Sequence, residues 1–283
     1  MPRRDLPTRA RITPALAKVP EITALFWLLK LLTTGMGEAM SDFLGQQSVP
    51  LAAVVGLSGL ILALRLQLGR PDYSAAHYWF AVMMVAVFGT MVADGIRDGA
   101  GIGYEVTTPL FALITGVVFW AWYRREGTLS IHSINTRRRE RFYWAAVLST
   151  FALGTAAGDL TAMSLHLGYW VSVVLFAAVI AIPAVMWWRG KMHPILAFWF
   201  AYVVTRPLGA SFADGFSKPT LGGLKIGDGP VSLVALVIFI SLVAYVVRSR
   251  RDVQTEAEQV PAGATEEREA LAFGLTPAAD FES

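Results

Sequence analysis

Hydrophobic and polar positions along this chain are organised on the scale of a membrane span. Apolar runs of roughly 20 residues, enough to cross a bilayer, recur between short polar connections. The pattern predicts eight helices. Four are interrupted by polar residues at fixed places, at about 20–43, 76–96, 141–163 and 193–215. The helices that follow them, at about 49–66, 106–123, 168–188 and 229–247, carry no ionisable residue in their middles. They are expected to form the outer, lipid-facing ring.

The interrupted helices repeat one pattern: FWLLKLLTTGMGEAMSD from Phe26, YWFAVMMVAVFGTMVAD from Tyr78, YWAAVLSTFALGTAAGD from Tyr143 and FWFAYVVTRPLGASFAD from Phe198. Each has an aromatic residue, Trp, nine residues, Gly, three residues, a small residue and Asp. Trp and Asp are 15 residues apart in all four. Internal repeats of this kind set the architecture. The predicted fold is an all-α polytopic membrane protein. Eight transmembrane helices form four parallel hairpin repeats, at about 20–68, 76–124, 141–190 and 193–249, with pseudo-symmetry about the membrane normal.

Gly37, Gly89, Gly154 and Gly209 each stand four residues before a small partner: Ser41, Ala93, Gly158 and Ala213. A small-xxx-small row lets helices approach closely in lipid, so these glycines are expected on seams between the repeated helices. The Trp residues are expected in the aromatic belt of the inner interface.

Asp42, Asp94, Asp159 and Asp214 end the four copies. A charged group at the bilayer centre costs about 2.5–3.5 kcal/mol on insertion scales, and four carboxylates converging on one axis need a cation or protons beside them. One reading is a cation site built from these four Asp and Glu38, with Thr90 and Thr155 one turn below two of them as oxygen donors. The other is that each Asp caps the N-terminus of a following turn, and Asp94-Gly95 and Asp214-Gly215 also resemble turn starts. Lys30 and Arg206 lie within repeated helices, where a carboxylate partner is expected; Glu38 suits one of them. They serve either as structural ion-pair members or as contacts for an anionic solute.

Composition narrows the function. The chain is 55% hydrophobic and 16% charged, with no cysteine, which excludes disulfides and thiolate metal sites. The net charge is +3, and the cations collect beside apolar runs: Arg3, Arg4, Arg9 and Arg11; Arg65 and Arg70; Arg124 to Arg141; Arg189 and Lys191; Arg248 to Arg251. That is an orientation signal, not a nucleic-acid footprint. It predicts both termini in the cytoplasm. Residues 1–19 read as a basic cytoplasmic segment, 20–250 as the membrane domain and 251–283 as an acidic disordered tail. Carboxylate and hydroxyl donors suit hard ions such as Mn, Mg or Ca, so a bound divalent metal is the one cofactor the donor set suggests. No nucleophile–base arrangement is visible, and no enzymatic activity is expected.

The stretch Lys18 to Leu44, with its Thr-Thr-Gly-x-Gly-Glu-x-x-Ser-Asp core, resembles a bacterial family of uncharacterised membrane-anchored proteins built from a repeat of unknown function. The resemblance runs over about residues 18–250 and implies a multi-span protein of the inner membrane. It supplies architecture and no substrate. The expected function is transport of a small cation, a divalent metal ion before others, with coupling to protons left open. Transport of a small organic solute and a non-transporting membrane scaffold are the alternatives.

Overall fold

The computed structural model describes residues 17–253; Arg3, Arg4, Arg9, Arg11 and the acidic tail beyond 253 lie outside the described residues. Eight long helices run through it: α1 (Ala24–Gln47), α2 (Val49–Gly69), α3 (Ala75–Ala100), α4 (Tyr104–Glu126), α5 (Arg137–Asp159), α6 (Tyr169–Trp188), α7 (Pro194–Ser217) and α8 (Asp228–Ser249). No strand occurs among the described residues. All of these helices except α1 are long and apolar enough to cross a membrane. α1 is as long, but Lys30, Glu38 and Asp42 lower its apolar character. Local signals set the ends. Thr23 accepts the Phe26 amide at 3.2 Å and Thr136 the Arg139 amide at 3.3 Å, as good N-caps do. Gly127 takes the left-handed conformation, φ 71°, that closes α4.

The odd helices form a closed inner ring, with α1 against α3, α3 against α5, α5 against α7 and α7 back against α1. The repeated glycines lie on these four seams. A methyl group on Gly37 would meet Ala86 Cβ at 2.5 Å, and one on Gly89 would meet Phe151 Cβ at 2.8 Å. One on Gly154 would run into the Arg206 side chain, and one on Gly209 into Thr34. In every case the neighbour stands three residues before the next copy's own glycine. The ring is therefore made four times by equivalent positions.

The even helices lie outside. Between 17% and 22% of their apolar windows is buried, against 50–67% for α3, α5 and α7, so their apolar faces meet the bilayer. Each packs chiefly on the odd helix of the next hairpin: α2 on α3, α4 on α5, α6 on α7, and α8 round to α1. The hairpins are thus interleaved and not four separate pairs.

Two sequence expectations change. Trp79, Trp144 and Trp199 are buried, not set in a lipid-facing belt. They stack with Tyr78, Tyr143, Phe26 and Phe198 into an aromatic plug at one end of the ring. The indole bodies find ring partners inside, where lipid would offer only tails. The boundary at residue 19 also moves, because Ala17, Lys18 and Val19 are buried in the bundle. Lys18 Nζ donates to Glu140 Oε2 at 2.7 Å, and Gln67 Nε2 donates to the other oxygen at 2.9 Å. At the same end Asp252 accepts from the Tyr73 hydroxyl.

Candidate functional site

The site follows from stepping through the repeat four residues at a time, since residues four apart share a helix face. Starting at the plug, the layers are Phe26, Tyr78, Tyr143 and Phe198; then Lys30, Val82, Val147 and Tyr202; then Thr34, Ala86, Phe151 and Arg206; then Glu38, Thr90, Thr155 and Ala210; and last the four Asp. Every member of the first four layers is buried, as are Asp159 and Asp214, while Asp42 and Asp94 are half-buried. Each step rises about 6 Å along a helix. The layers therefore stack along the ring axis.

Arg206 is the hub. Its side chain leaves α7 and reaches all three other odd helices. Nη2 donates to Glu38 Oε2 at 2.6 Å and Thr155 Oγ1 at 2.7 Å, and it touches Thr90 Oγ1; Nη1 donates to the Thr34 carbonyl at 3.1 Å. Glu38 is thus the ion-pair partner of Arg206 and not of Lys30. The fourth copy carries Ala210 in the layer of Glu38, Thr90 and Thr155, one turn above Arg206, which leaves room for the guanidinium. Thr90 and Thr155 have their oxygens turned to Arg206, so they brace the hub instead of standing free as donors to an ion.

Lys30 has no counter-charge among the described residues. Its ammonium is buried, without a hydrogen-bond partner among the described residues, between the Phe151 ring at 4.1 Å and the Tyr202 ring at 4.2 Å. The Arg206 guanidinium is 5.4 Å from the same Phe151 ring. Such contacts stabilise a desolvated cation by about 2 kcal/mol each.

Above the hub the acids gather. One carboxylate oxygen each from Glu38, Asp42 and Asp94 lies within 4.8 Å of the others, and so does one each from Glu38, Asp159 and Asp214. Glu38 belongs to both triads. The capping expectation fails here: Asp42, Asp94 and Asp214 sit inside α1, α3 and α7, and Asp159 is the last residue of α5, which continues as a π-turn over Leu160–Ser164. Asp94-Gly95 and Asp214-Gly215 are helical, not turns. Asp214 Oδ1 is buried with no hydrogen-bond partner among the described residues.

The connection from α7 to α8 closes over this end. Lys218 Nζ contacts Asp42 Oδ2 and donates to Asp228 Oδ2 at 3.2 Å. Burial would lower its pKa, yet Asp42, Asp214 and Asp228 hold the ammonium above its usual range. Gln46 Nε2 donates to Asp228 Oδ2 at 2.6 Å. Sequence reasoning missed Lys218 and Asp228, since no repeat marks them and only the folded loop brings them in. His166 is exposed, with its ring on the Met163 carbonyl at 2.7 Å, and does not join the cluster. Counted along the axis, six carboxylates (the four Asp, Glu38 and Asp228) meet three cations (Arg206, Lys218 and Lys30). The excess is negative, and the donors are hard oxygens, the set that fits a divalent ion such as Mn²⁺, Mg²⁺ or Ca²⁺.

Fold and site define a multi-pass helical membrane protein built on internal repeats, with an acidic cluster at one end of its axis. The chain belongs to the family described as a Repeat of Unknown Function (DUF347), whose model matches residues 77–128, 142–192 and 197–252. Those segments cover most of the hairpins α3–α4, α5–α6 and α7–α8. The hairpin α1–α2 lies outside the matches, and its equivalence rests on the Trp–Asp spacing and its place in the ring. No curated protein and no solved structure matches the chain.

Proposed function

We propose that the protein carries a small divalent cation across the membrane in exchange for protons. Asp42, Asp94, Asp159, Asp214 and Glu38 are the ligand set. The observation that carries this reading is Glu38 shared between two carboxylate triads, one of which contains the unpartnered Asp214 Oδ1. Carboxylates this close repel unless a cation or protons lie between them. Sliding of helices is assigned to the four glycine seams, where the glycine itself offers no side chain to interlock with its neighbour. The cationic clusters of the described loops all lie at the plug end of the bundle, which supports an orientation with the acids facing outward and both termini in the cytoplasm of a bacterial inner membrane.

A second reading, transport of an organic anion, draws support from Lys30, which has no counter-charge among the described residues. Arg206 gives it little, because its guanidinium is committed to Glu38, Thr155, Thr90 and the Thr34 carbonyl. The scaffold reading relied on Asp acting as caps, which the helix ends do not support.

Binding of Mn²⁺ to protein in lipid nanodiscs, followed by electron paramagnetic resonance, tests the proposal. Saturable binding is expected, weakened at least tenfold in Asp159→Asn and Asp214→Asn. Wild-type protein that binds no Mn²⁺, Mg²⁺ or Ca²⁺ above empty nanodiscs refutes it. Stabilisation by small carboxylic acids but not by metals would favour the anion reading.

A further inference from the structure

Each layer of the axis holds at least one group able to carry or pass a proton, although Val, Ala and Phe fill the sister positions. Below the hub comes Lys30, the one basic residue of its layer. Next is Tyr202, whose ring lies under the Lys30 ammonium and whose buried hydroxyl sits beside that of Tyr143. Tyr143 and Tyr78 share a hydrogen bond between their hydroxyls at 2.5 Å. The Tyr73 ring is 6.0 Å from that of Tyr78, and its hydroxyl donates to Asp252 at the plug end.

We propose that Lys30, Tyr202, Tyr143 and Tyr78 form a proton path through the aromatic plug, joining the acid end of the axis to the opposite face at Tyr73 and Asp252. The path deepens the cation-exchange reading, and rests on it, by giving the counter-ion a route separate from the metal ligands. The plug bars a hydrated ion, because Phe26, Phe198, Trp79, Trp144 and Trp199 fill it. Hydroxyls threaded between those rings pass a proton without opening it. Each step moves one proton from an O–H or N–H to a lone pair on the next group; no bond to carbon changes and no electron is transferred. Lys30 alternates between ammonium and amine. The groups that face it are Arg206 and Tyr202 from α7, the Phe151 ring from α5 and, two turns along α1, Glu38; α3 presents Val82 in the same layer, and α2 and α8 carry no ionisable residue in their middles. Nothing there fixes the positive charge as a carboxylate would.

The test uses the full chain in vesicles loaded with potassium and a pH-sensitive dye. Valinomycin sets an inside-negative potential, and proton entry is followed with and without Mn²⁺ inside. Wild type should take up protons faster than protein-free vesicles in at least one condition. Tyr143→Phe and Tyr202→Phe, which each lose one oxygen and keep the ring, should slow uptake at least tenfold while Mn²⁺ binding changes less than twofold. Lys30→Met should behave alike; should it fail to fold, the two Tyr variants carry the test. Uptake no faster than in protein-free vesicles, or unchanged in both Tyr variants, overturns the path. Hydroxyl-dependent proton uptake in a protein that binds no metal upholds the path and removes the cation reading instead.

Discussion

Breaking the Arg206–Glu38 pair gives the sharpest quantitative test of the site's construction. The two groups are 2.6 Å apart and almost fully buried. At an effective dielectric near 20, unit charges that close attract by about 6 kcal/mol. Desolvation offsets much of this, but removing one partner strands the other, which typically costs 3–5 kcal/mol. Arg206→Met leaves Glu38 facing four Asp with its guanidinium gone, so it should lie at or above the upper end. Glu38→Gln strands the guanidinium but also relieves repulsion with the Asp set, so it should lie near the lower end. The double variant removes both charges and should recover at least half of the summed loss, since an apolar replacement of a buried pair is often near neutral. The assay is thermal unfolding in detergent, where each kcal/mol corresponds to roughly 2–4 °C for a domain of this size. Singles costing under about 1 kcal/mol, or a double variant equal to their sum, would refute the claim that one desolvated pair holds the hub.

Other outcomes follow from the same contacts. Gly154→Ala should destabilise by at least about 2 kcal/mol, because the new methyl meets Arg206 and then Pro207 Cδ at 3.0 Å, whereas Gly95→Ala, with nothing within 4 Å, should be neutral or slightly stabilising in the same melts. Lys218→Met should loosen the loop over the acid end and raise its rate of amide hydrogen exchange. Because the Lys218 ammonium is held above its usual range, its stabilising effect is complete below the ordinary lysine range and is lost as pH rises from there through the raised value. The stability gap between wild type and Lys218→Met should therefore persist up to about pH 10, checked by unfolding at each pH; a gap that closes near pH 8 would contradict this. Asp214→Asn should cost little stability, since Oδ1 makes no hydrogen bond to lose, and yet should weaken Mn²⁺ binding.

Much of this was legible in the chain because a gapless repeat fixes equivalence before any contact is known. The Trp–Asp spacing marked the odd helices, and the Gly rows marked the seams on which Gly37, Gly89, Gly154 and Gly209 sit. The absence of mid-helix charge marked α2, α4, α6 and α8 as the outer layer. Counting backward from Asp in fours would also have exposed the buried layers, including Tyr78 and Tyr143, which reading the Trp as an interface belt obscured. Three features had no local signal. Interleaving of each even helix onto the next hairpin depends on how the ring closes, not on any one hairpin. The choice of Glu38 for Arg206 and not Lys30 depends on axial height: Arg206 lies one layer below Glu38, and Lys30 two. Lys218 enters only because its loop folds back, with the Leu224 amide on the Gly215 carbonyl at 2.8 Å and the Ile226 amide on the Phe216 carbonyl at 3.0 Å.

The guanidinium at the centre constrains how this chain can vary. Thr34, Ala86 and Phe151 hold the places that correspond to Arg206, and each packs on a neighbouring copy's glycine as Arg206 packs on Gly154. Of the four, Arg206 alone carries a long cation across to the other odd helices. A change such as Ala86→Arg would copy a residue already present in a sister unit and still be ruinous, because the centre is occupied. Drift that makes the four units more alike is therefore harmful at this height, while the glycines one turn away must stay identical. A ring closed by equivalent positions has thereby lost the freedom to be symmetric at its centre.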